Sequence, residues 1–285
     1  MGAVADDDIR QQSRARWTAT AKGWGVRADQ LRRATMPVAT WMVEALRPQP
    51  GDTLLELAAG PGDTGFLAAE LIEPGGTLIC SDFVPEMLSV AQERAQALGL
   101  RNVRFKQIDA ETSIDVEAAS IDGVLCRWGY MLMADPVTAL TQTRRVLRPG
   151  GRLVLAAWTG PDDNLWSAIP MRELVRRGLE ERPDPDAPGQ FAWADQGVIA
   201  ERLQEAGFVD FELAAVDFTV SYTSLDDWWA STQDLSMRFA DATRGMDAGT
   251  RAEIQAAMAE AAGPYTDGDG AIAIPARTWT AVATA

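Results

Sequence analysis

The chain has 285 residues, with 41 acidic and 26 basic side chains that give a net charge of −15 at pH 7. This charge opposes binding to nucleic acid or to an anionic membrane surface, so we expect neither as a partner. The sequence contains no histidine, and its two cysteines form no CxxC pair, which excludes Ser-His-Asp and Cys-His catalysis and predicts no metal site.

The first segment, residues 1–50, is predicted to form a helical cap or lid. Val38 and Met42 recur at helical spacing, and a breaker cluster at 47–51 ends the segment. Two glycines flank Trp24, which suggests flexible joints beside a large ring that could close over a ligand. We therefore expect the first 35 residues to move as a lid.

The next segment, residues 51–160, alternates short apolar strands with helices and is predicted to be the core. Its strands are expected at 53–57, 77–80, 103–108, 123–126 and 152–158. Helices are expected at 65–72, 85–98 and 136–147. Alternation of this kind is typical of a doubly wound α/β fold with a parallel sheet.

The remaining chain is less regular. Residues 161–192 are predicted to be a cap insertion with one helical patch near 171–179, and residues 193–223 return to the core. Residues 224–270 are predicted to be a second, mainly helical cap insertion, before a final core strand within 271–285. No apolar stretch approaches 18 residues, and the N-terminus is acidic where a signal peptide is apolar. These features predict a cytoplasmic protein.

A glycine-rich turn carries the most specific signal. Gly60-Pro61-Gly62-Asp63-Thr64-Gly65 follows the first predicted strand and opens a helix, and it fits the pattern G-x-G-x-x-G. Asp82 ends the second predicted strand, about 20 residues further on. Glycines that permit close backbone approach and an acid that binds ribose hydroxyls predict a nucleoside site. Both an NAD(P)-dependent oxidoreductase and an S-adenosylmethionine (SAM) enzyme place a nucleoside there.

Three details favour SAM. Glu56, beside the glycine turn, would repel a pyrophosphate but can attract the ammonium group of a methionine moiety. Asp109, after the third strand, could accept a hydrogen bond from an adenine amino group. The acidic loop also lacks the Arg or Lys that a phosphate would require. A cationic cofactor without phosphate groups satisfies all three conditions.

Taken in order, these motifs resemble the class I SAM-dependent methyltransferases, in the branch of ubiquinone/menaquinone-type and natural-product small-molecule enzymes. The resemblance covers about residues 35–160 and is loose over 161–262. It implies a Rossmann-like sheet of seven strands, mostly parallel, with an antiparallel last strand near 278–283 beside the fifth. It also implies SAM as the cofactor and a small molecule as the methyl acceptor.

The resemblance further implies which residues bind the cofactor. Gly60 and Gly62 would pass under the methionine part, Asp82 would hold the ribose hydroxyls, and Phe83 and Met87 would pack on adenine. The complete implied set is Glu56, Ala58, Gly60, Gly62, Asp82, Phe83, Met87, Asp109, Ala110, Cys126 and Arg127.

The acceptor site is less well defined by the sequence. Ten tryptophans suit a planar or apolar acceptor, and the candidates to line its site are Trp17, Trp24, Trp128 and Trp228. Tyr130 and Asp135 could be reached by a substrate, but the sequence assigns no catalytic base. A SAM-binding regulatory module without catalysis and an oxidoreductase remain alternatives, and a homodimer is a further expectation.

Overall fold

A seven-stranded sheet forms the centre of the computed structural model, which describes residues 2–184 and 187–285. The strands are β1 (Thr53–Glu56), β2 (Thr77–Asp82), β3 (Val103–Gln107), β4 (Ile121–Arg127), β5 (Leu147–Trp158), β6 (Asp210–Tyr222) and β7 (Ile272–Thr284). Their order is β3-β2-β1-β4-β5-β7-β6, and β7 runs in the direction opposite to the other six described strands. The predicted fold, with an antiparallel last strand beside the fifth, is confirmed.

Helices connect and cover these strands. They are α1 (Gly2–Leu46), α2 (Asp63–Leu71), α3 (Pro85–Leu98), α4 (Pro136–Val146), α5 (Leu165–Arg176), α6 (Gln196–Glu205), α7 (Leu225–Leu235), α8 (Met237–Thr243) and α9 (Ala248–Ala262). Met1 and residues 185–186, which belong to the predicted segments 1–50 and 161–192, lie outside the described residues. Within the described ranges, no helix has the length and apolar character needed to cross a membrane.

The strand order places a crevice beside β1. The chain goes from β1 to β2 on one side of the sheet centre and later returns to β4 on the other side. At such a switch point the loops leave the carboxyl ends of the strands in opposite directions, and ligands bind between them. The glycine turn after β1 and Asp82 at the end of β2 both lie at this edge.

The two parts of helix α1 pack in two different hydrophobic clusters. Its C-terminal part, including Val38, Met42 and Leu46, is buried in the main core. Its N-terminal part forms a separate cluster beyond the carboxyl edge of the sheet, made of Trp17, Ala21, Trp24, Phe83, Val84 and Met87. One continuous 45-residue helix therefore joins the core to a cover over the edge where the crevice lies.

A proline in α5 explains one contact between α5 and α7. Pro170 has no N–H, so the carbonyl of Trp166 lacks the donor that a regular helix would supply. The indole Nε1 of Trp228, in α7, donates to this carbonyl at 2.8 Å. The helix predicted near 171–179 instead begins at Leu165, because Asn164 starts it and the proline is accommodated inside.

Candidate functional site

The turn after β1 is shaped by glycines with different neighbours. Gly62 has φ +87°, and a Cβ there would lie 2.3 Å from the Phe66 ring. A Cβ at Gly65 would lie 2.3 Å from Glu56 Oε2. At Gly60, with φ +53°, a Cβ would meet no described atom within 4 Å. Packing within the turn therefore explains Gly62 and Gly65, whereas Gly60 borders open space.

Asp82 connects the two loops that border the crevice. Its Oδ2 accepts a hydrogen bond from Gly60 N and its Oδ1 accepts one from Val84 N, both at 3.0 Å. Burial raises the pKa of this carboxyl to about 6, although these backbone donors act in the opposite direction. The carboxylate is fixed at the place where the sequence predicts a ribose.

Glu56 is a buried acid with one free oxygen. Its Oε1 accepts from Gly65 N at 3.0 Å, while its Oε2 has no donor among the described residues. Burial raises the pKa of Glu56 to about 8, against the effects of the Gly65 N–H and of Arg127. An acid of this kind is stabilised by an added cation, so the site fits the ammonium group of SAM.

The residues expected around adenine come together at the ends of β2 and β3. Met87 and Ala110 are buried, and Phe83 and Asp109 are half-buried. Arg14 of α1 also reaches this place, because its guanidinium lies 5.3 Å from the Phe83 ring centroid and 3.8 Å from Asp109 Oδ2. No sequence motif points to Arg14, since only the path of α1 brings it here.

Trp17 and Trp24 lie at the same end of the crevice. Their rings contact each other edge to face, with centroids 5.5 Å apart, and pack against Met87 and Val84. The Nε1 of Trp24 donates to the Leu235 carbonyl at the end of α7. These contacts place both tryptophans beside the expected nucleoside, away from the ends of β4 and β5.

A partly buried charge cluster links α1 to the glycine turn. Arg94 Nη2 lies 2.6 Å from Asp63 Oδ1, and its Nη1 lies 3.2 Å from Asp29 Oδ1 in α1. Arg127, which ends β4, has its Nη2 4.0 Å from Asp63 Oδ2 and donates to the hydroxyl of Thr35. The sequence singled out Arg127 and placed Asp63 in the glycine turn, but it did not indicate Arg94, Asp29 or Thr35, whose contacts connect distant parts of the chain.

Trp128 adopts an unusual backbone conformation at the end of β4. Its φ is +60°, a value rare for a bulky residue and found mostly at functional sites. One ring face is covered by Arg127, 4.7 Å from its centroid, and Trp158 stacks on the ring at 4.1 Å. Its Nε1 donates to Thr278 Oγ1 at 2.9 Å. The stacking leaves a ring edge, rather than a face, for an acceptor.

Cys126 closes the floor of the crevice between β1 and β4. The thiol is fully buried, and burial raises its pKa to about 12. A Cβ at Gly129 would lie 2.6 Å from its Sγ and 2.8 Å from the Cβ of Ala58, whose φ is +50°. Gly129 thus allows the loops after β1 and β4 to approach closely.

The remaining candidates are engaged in packing and capping. Trp228 is fully buried, stacks on Tyr222 and donates to Trp166. The hydroxyl of Tyr130 lies 2.7 Å from Thr143 Oγ1 and is also buried. Asp135 caps α4 by accepting from the backbone N–H and the hydroxyl of Thr138. Each of these side chains already has a structural role.

The sheet order and the three acids, of which Glu56 and Asp82 end β1 and β2 and Asp109 follows β3, define a Rossmann-like, SAM-binding class of protein. A family model described as a methyltransferase domain matches residues 48–174. The chain belongs to the class I SAM-dependent methyltransferases.

Curated relatives of this chain are also methyltransferases. A demethylmenaquinone methyltransferase of Deinococcus radiodurans is 40% identical over 128 residues, which cover 44% of this chain and 51% of the relative. One of Clavibacter sepedonicus is 32% identical over 202 residues, covering 65% of this chain and 74% of the relative. The chain thus spans about half of the first relative and about three quarters of the second.

Solved structures share the fold at low sequence identity. The YcgJ protein of Bacillus subtilis has a TM-score of 0.58 at 19% identity, and the match covers 86% of this chain and 97% of that one. A phosphoethanolamine N-methyltransferase of Haemonchus contortus, in complex with SAM, has a TM-score of 0.52 at 16% identity over 86% of this chain and 52% of that one.

Proposed function

We propose that this protein transfers the methyl group of SAM to a small aromatic or apolar metabolite. The observation that carries the proposal is the set of acids at the ends of β1, β2 and β3, namely Glu56, Asp82 and Asp109, around a glycine turn. When bound, SAM supplies an activated methyl group on a sulfonium, so the protein needs mainly to orient the acceptor and exclude water.

Each acid has a distinct proposed task. Asp82, held by Gly60 N and Val84 N, accepts hydrogen bonds from the two ribose hydroxyls. Glu56 faces the ammonium group, and Asp109 accepts from the adenine amino group. Backbone groups of Ala58, Gly60 and Gly62 border the methionine part, while Phe83, Met87 and Ala110 pack around adenine. Cys126 and Arg127 form the wall at β4.

The acceptor class is inferred from the aromatic residues beyond β4 and β5. Trp158 contacts Trp128, Trp166 and Phe218, with ring centroids 4.1 to 5.8 Å apart. The indole N–H groups of Trp128 and Trp166 are bonded within the protein. The cluster therefore offers a rigid apolar wall, which suits an aromatic ring or an apolar chain.

No side chain of this site is proposed as a catalytic base. Thr143 donates to the Ala139 carbonyl, so the hydrogen bond between the two hydroxyls uses the proton of Tyr130. Burial also raises the pKa of Tyr130 well above its ordinary value, which opposes its ionisation. We infer that the acceptor arrives as a competent nucleophile and that α1 excludes water from it.

Mass spectrometry and calorimetry test the proposal. Protein as purified is expected to carry SAM or S-adenosylhomocysteine, and the latter is expected to bind in calorimetry. Asp82→Asn should weaken this binding by about ten- to 150-fold, because charge-assisted bonds to ribose are lost. A panel of aromatic acceptors should then give methylated product. Binding without turnover on any acceptor would support a regulatory module, and binding of NADH instead would support an oxidoreductase.

We also propose a homodimer and a cytoplasmic location. Among the described residues, β6 pairs with β7 on one side, and its other edge faces no strand. A second copy could add its own β6 there, as exposed strand edges allow. Light scattering at several protein concentrations tests the dimer, and a constant monomer mass would contradict it.

A further inference from the structure

The apolar wall proposed for the acceptor contains three indole N–H groups, which belong to Trp128, Trp158 and Trp166. The N–H of Trp128 donates to Thr278 Oγ1 at 2.9 Å, and that of Trp166 donates to Asn164 Oδ1 at 3.3 Å. The Nε1 of Trp158 has no hydrogen-bond acceptor within the described ranges of the chain. One donor of the wall is therefore left without a partner in the protein.

This donor belongs to a side chain that is more than nine-tenths buried. Trp158 is 7% exposed, with Trp128 stacked on its ring and with Trp166 and Phe218 tilted against it. An indole N–H usually finds a partner when it is buried, because an unpaired donor is unfavourable there. Trp229, in α7, also lacks an acceptor among the described residues, but its Nε1 is completely enclosed. The Nε1 of Trp158 is not enclosed in this way and is open to a partner from outside the protein.

Trp158 stands beside the proposed cofactor site. It ends β5, which pairs with β4, and Ala156 of β5 is in register with Arg127. The backbone N–H of Trp128 donates to the Ala156 carbonyl at 2.9 Å, so the two strands stay together up to the carboxyl edge of the sheet. Trp158 follows two residues later, at the same edge as the crevice. A ligand on its N–H would lie next to the cofactor, outside the cofactor's own site.

A polar network around Asn164 holds this end of β5 in place. Asn164 is fully buried, and its Nδ2 donates to Thr159 Oγ1 at 3.1 Å and to the Arg277 carbonyl at 3.0 Å. Its Oδ1 accepts from Arg277 N at 3.2 Å, in addition to the indole of Trp166. Thr159 directly follows Trp158, and its hydroxyl donates to the Arg277 carbonyl at 2.9 Å. The donor of Trp158 is therefore on a rigid support, which lowers the entropic cost of binding a ligand.

We propose that the indole N–H of Trp158 donates a hydrogen bond to an oxygen of the methyl acceptor. This inference rests on the proposed function and narrows the acceptor to aromatic compounds that carry a carbonyl or another hydrogen-bond-accepting oxygen beside the ring. A wholly apolar compound leaves the donor unpaired and should be disfavoured for that reason. Trp158 is a specificity residue and moves no proton, since an indole N–H only donates.

Binding of two matched probes tests this inference. Methyl naphthyl ketone carries one carbonyl oxygen, and isopropenylnaphthalene has a methylene group in its place, in a side chain of the same shape. Equilibrium dialysis measures both probes on the unmodified protein and on Trp158→Phe, each saturated with S-adenosylhomocysteine. Trp158→Phe keeps an aromatic ring but removes the N–H, so the preference for the ketone over the hydrocarbon should fall by about two- to ten-fold. Comparing preferences cancels the difference in hydrophobicity between the probes.

Trp279→Phe is the matched control. It also removes an indole N–H, which donates to the Ala194 carbonyl at 2.7 Å, but Trp279 is not part of the apolar wall. This variant should keep the preference of the unmodified protein between the two probes.

Nuclear magnetic resonance on nitrogen-15-labelled, unmodified protein gives a second measurement, which does not require Trp158→Phe to fold. The indole resonance of Trp158 is assigned through its contacts with Trp166 and Phe218. It should move further downfield with the ketone than with the hydrocarbon, because only the ketone accepts a hydrogen bond from it.

Two results would overturn the inference while leaving the proposed function intact. The first is an equal loss of affinity for both probes in Trp158→Phe, which would show that the ring acts only by packing. The second is an indole resonance that moves equally with the two probes. Failure of both probes to bind protein that does bind S-adenosylhomocysteine would show that the inferred acceptor class is wrong. If S-adenosylhomocysteine itself does not bind, the proposed function fails.

Discussion

At the scale of single residues, two glycines of the turn have different roles: Gly62 is required by packing, and Gly60 borders the open space where a ligand is proposed to bind. A side chain at Gly62 meets Phe66, whereas a side chain at Gly60 meets no described atom. Both positions have positive φ, so both disfavour any residue with a Cβ. The difference between the two sites is therefore steric, and it allows one glycine to serve as the control for the other.

We predict that Gly62→Ala destabilises the free protein more than Gly60→Ala does. Gly60→Ala should cost about 1 kcal/mol from backbone strain, and Gly62→Ala should cost about 1–3 kcal/mol more because of overpacking. Gly60→Ala should still weaken S-adenosylhomocysteine binding, since its methyl group enters the space beside the turn. Chemical denaturation and calorimetry on both variants check the prediction, and equal stabilities would contradict it.

The pKa of Glu56 predicts how stability changes with pH. Its value is raised from 4.5 to about 8 on folding, so the folded state holds this proton more strongly than the unfolded state does. The associated stability is complete below pH 4.5 and is lost as pH rises through 8. The unmodified protein therefore loses this contribution as the pH rises from 5 to 8, whereas Glu56→Gln cannot ionise and does not lose it. Over this range the unfolding free energy of Glu56→Gln minus that of the unmodified protein should rise by about 3 kcal/mol.

Denaturant titrations at several pH values measure this difference. The exposed Glu70→Gln, in α2, is the matched control and should follow the pH profile of the unmodified protein. The pKa of Asp82 is raised as well, but Asp82 is present in all the proteins compared, so its effect on stability cancels from the difference between their pH profiles. Parallel profiles for Glu56→Gln and the unmodified protein would show that Glu56 is charged in the folded state.

At the scale of elements, α1 is attached to α7 by charged hydrogen bonds and by close packing. Arg27 donates to Asp227 and to Asp234 of α7, both at 2.7 Å. A Cβ at Gly23 would lie 2.0 Å from the Asp234 carbonyl oxygen, so this glycine permits close contact between the helices. Sequence reasoning interpreted it as a flexible joint, and the structure gives it a packing role. Whether α1 opens as a lid remains a prediction.

We predict that residues 10–30 exchange amide hydrogens faster than the sheet and become protected when S-adenosylhomocysteine binds. Arg27→Ala should lower the free energy of local opening in the free protein by about 1–3 kcal/mol, because two charge-assisted hydrogen bonds are lost. The exposed Arg32→Ala, on the same helix, should have little effect. Full protection of residues 10–30 without ligand would show that α1 is permanently docked.

The elements of the sheet were predictable from the sequence because their signals are local. Apolar runs between turn residues located the strands, and the glycine turn with Asp82 located the crevice. The roles of Arg14, Arg94 and Thr35 were not predictable, since they depend on contacts between residues far apart in the chain. Trp128 was expected to offer its ring to an acceptor, but Trp158, from the neighbouring strand, stacks on it.

At the scale of the whole molecule, the two parts of α1 should be separable. Val38 and Met42 belong to the main core, whereas Trp17 and Trp24 belong to the small cluster over the crevice. We predict that deleting residues 1–30 preserves a single cooperative unfolding transition but weakens S-adenosylhomocysteine about ten-fold or more and abolishes turnover. Deleting residues 1–9 is the control, and it retains both tryptophans. Loss of cooperative unfolding in the longer deletion would contradict the prediction.

The clasp between Arg27 and the two aspartates of α7 has a consequence for engineering. The proposed nucleoside contacts come from strands β1 to β4, whereas much of the wall proposed for the acceptor comes from later segments. Replacing residues 161–270 with those of a homologue is therefore a direct way to change the substrate range. Such a chimera would carry a foreign α7 against the native α1. In such a chimera α1 and α7 should therefore come from the same parent protein. This keeps the contacts of Gly23 and Arg27 with Asp227 and Asp234 intact.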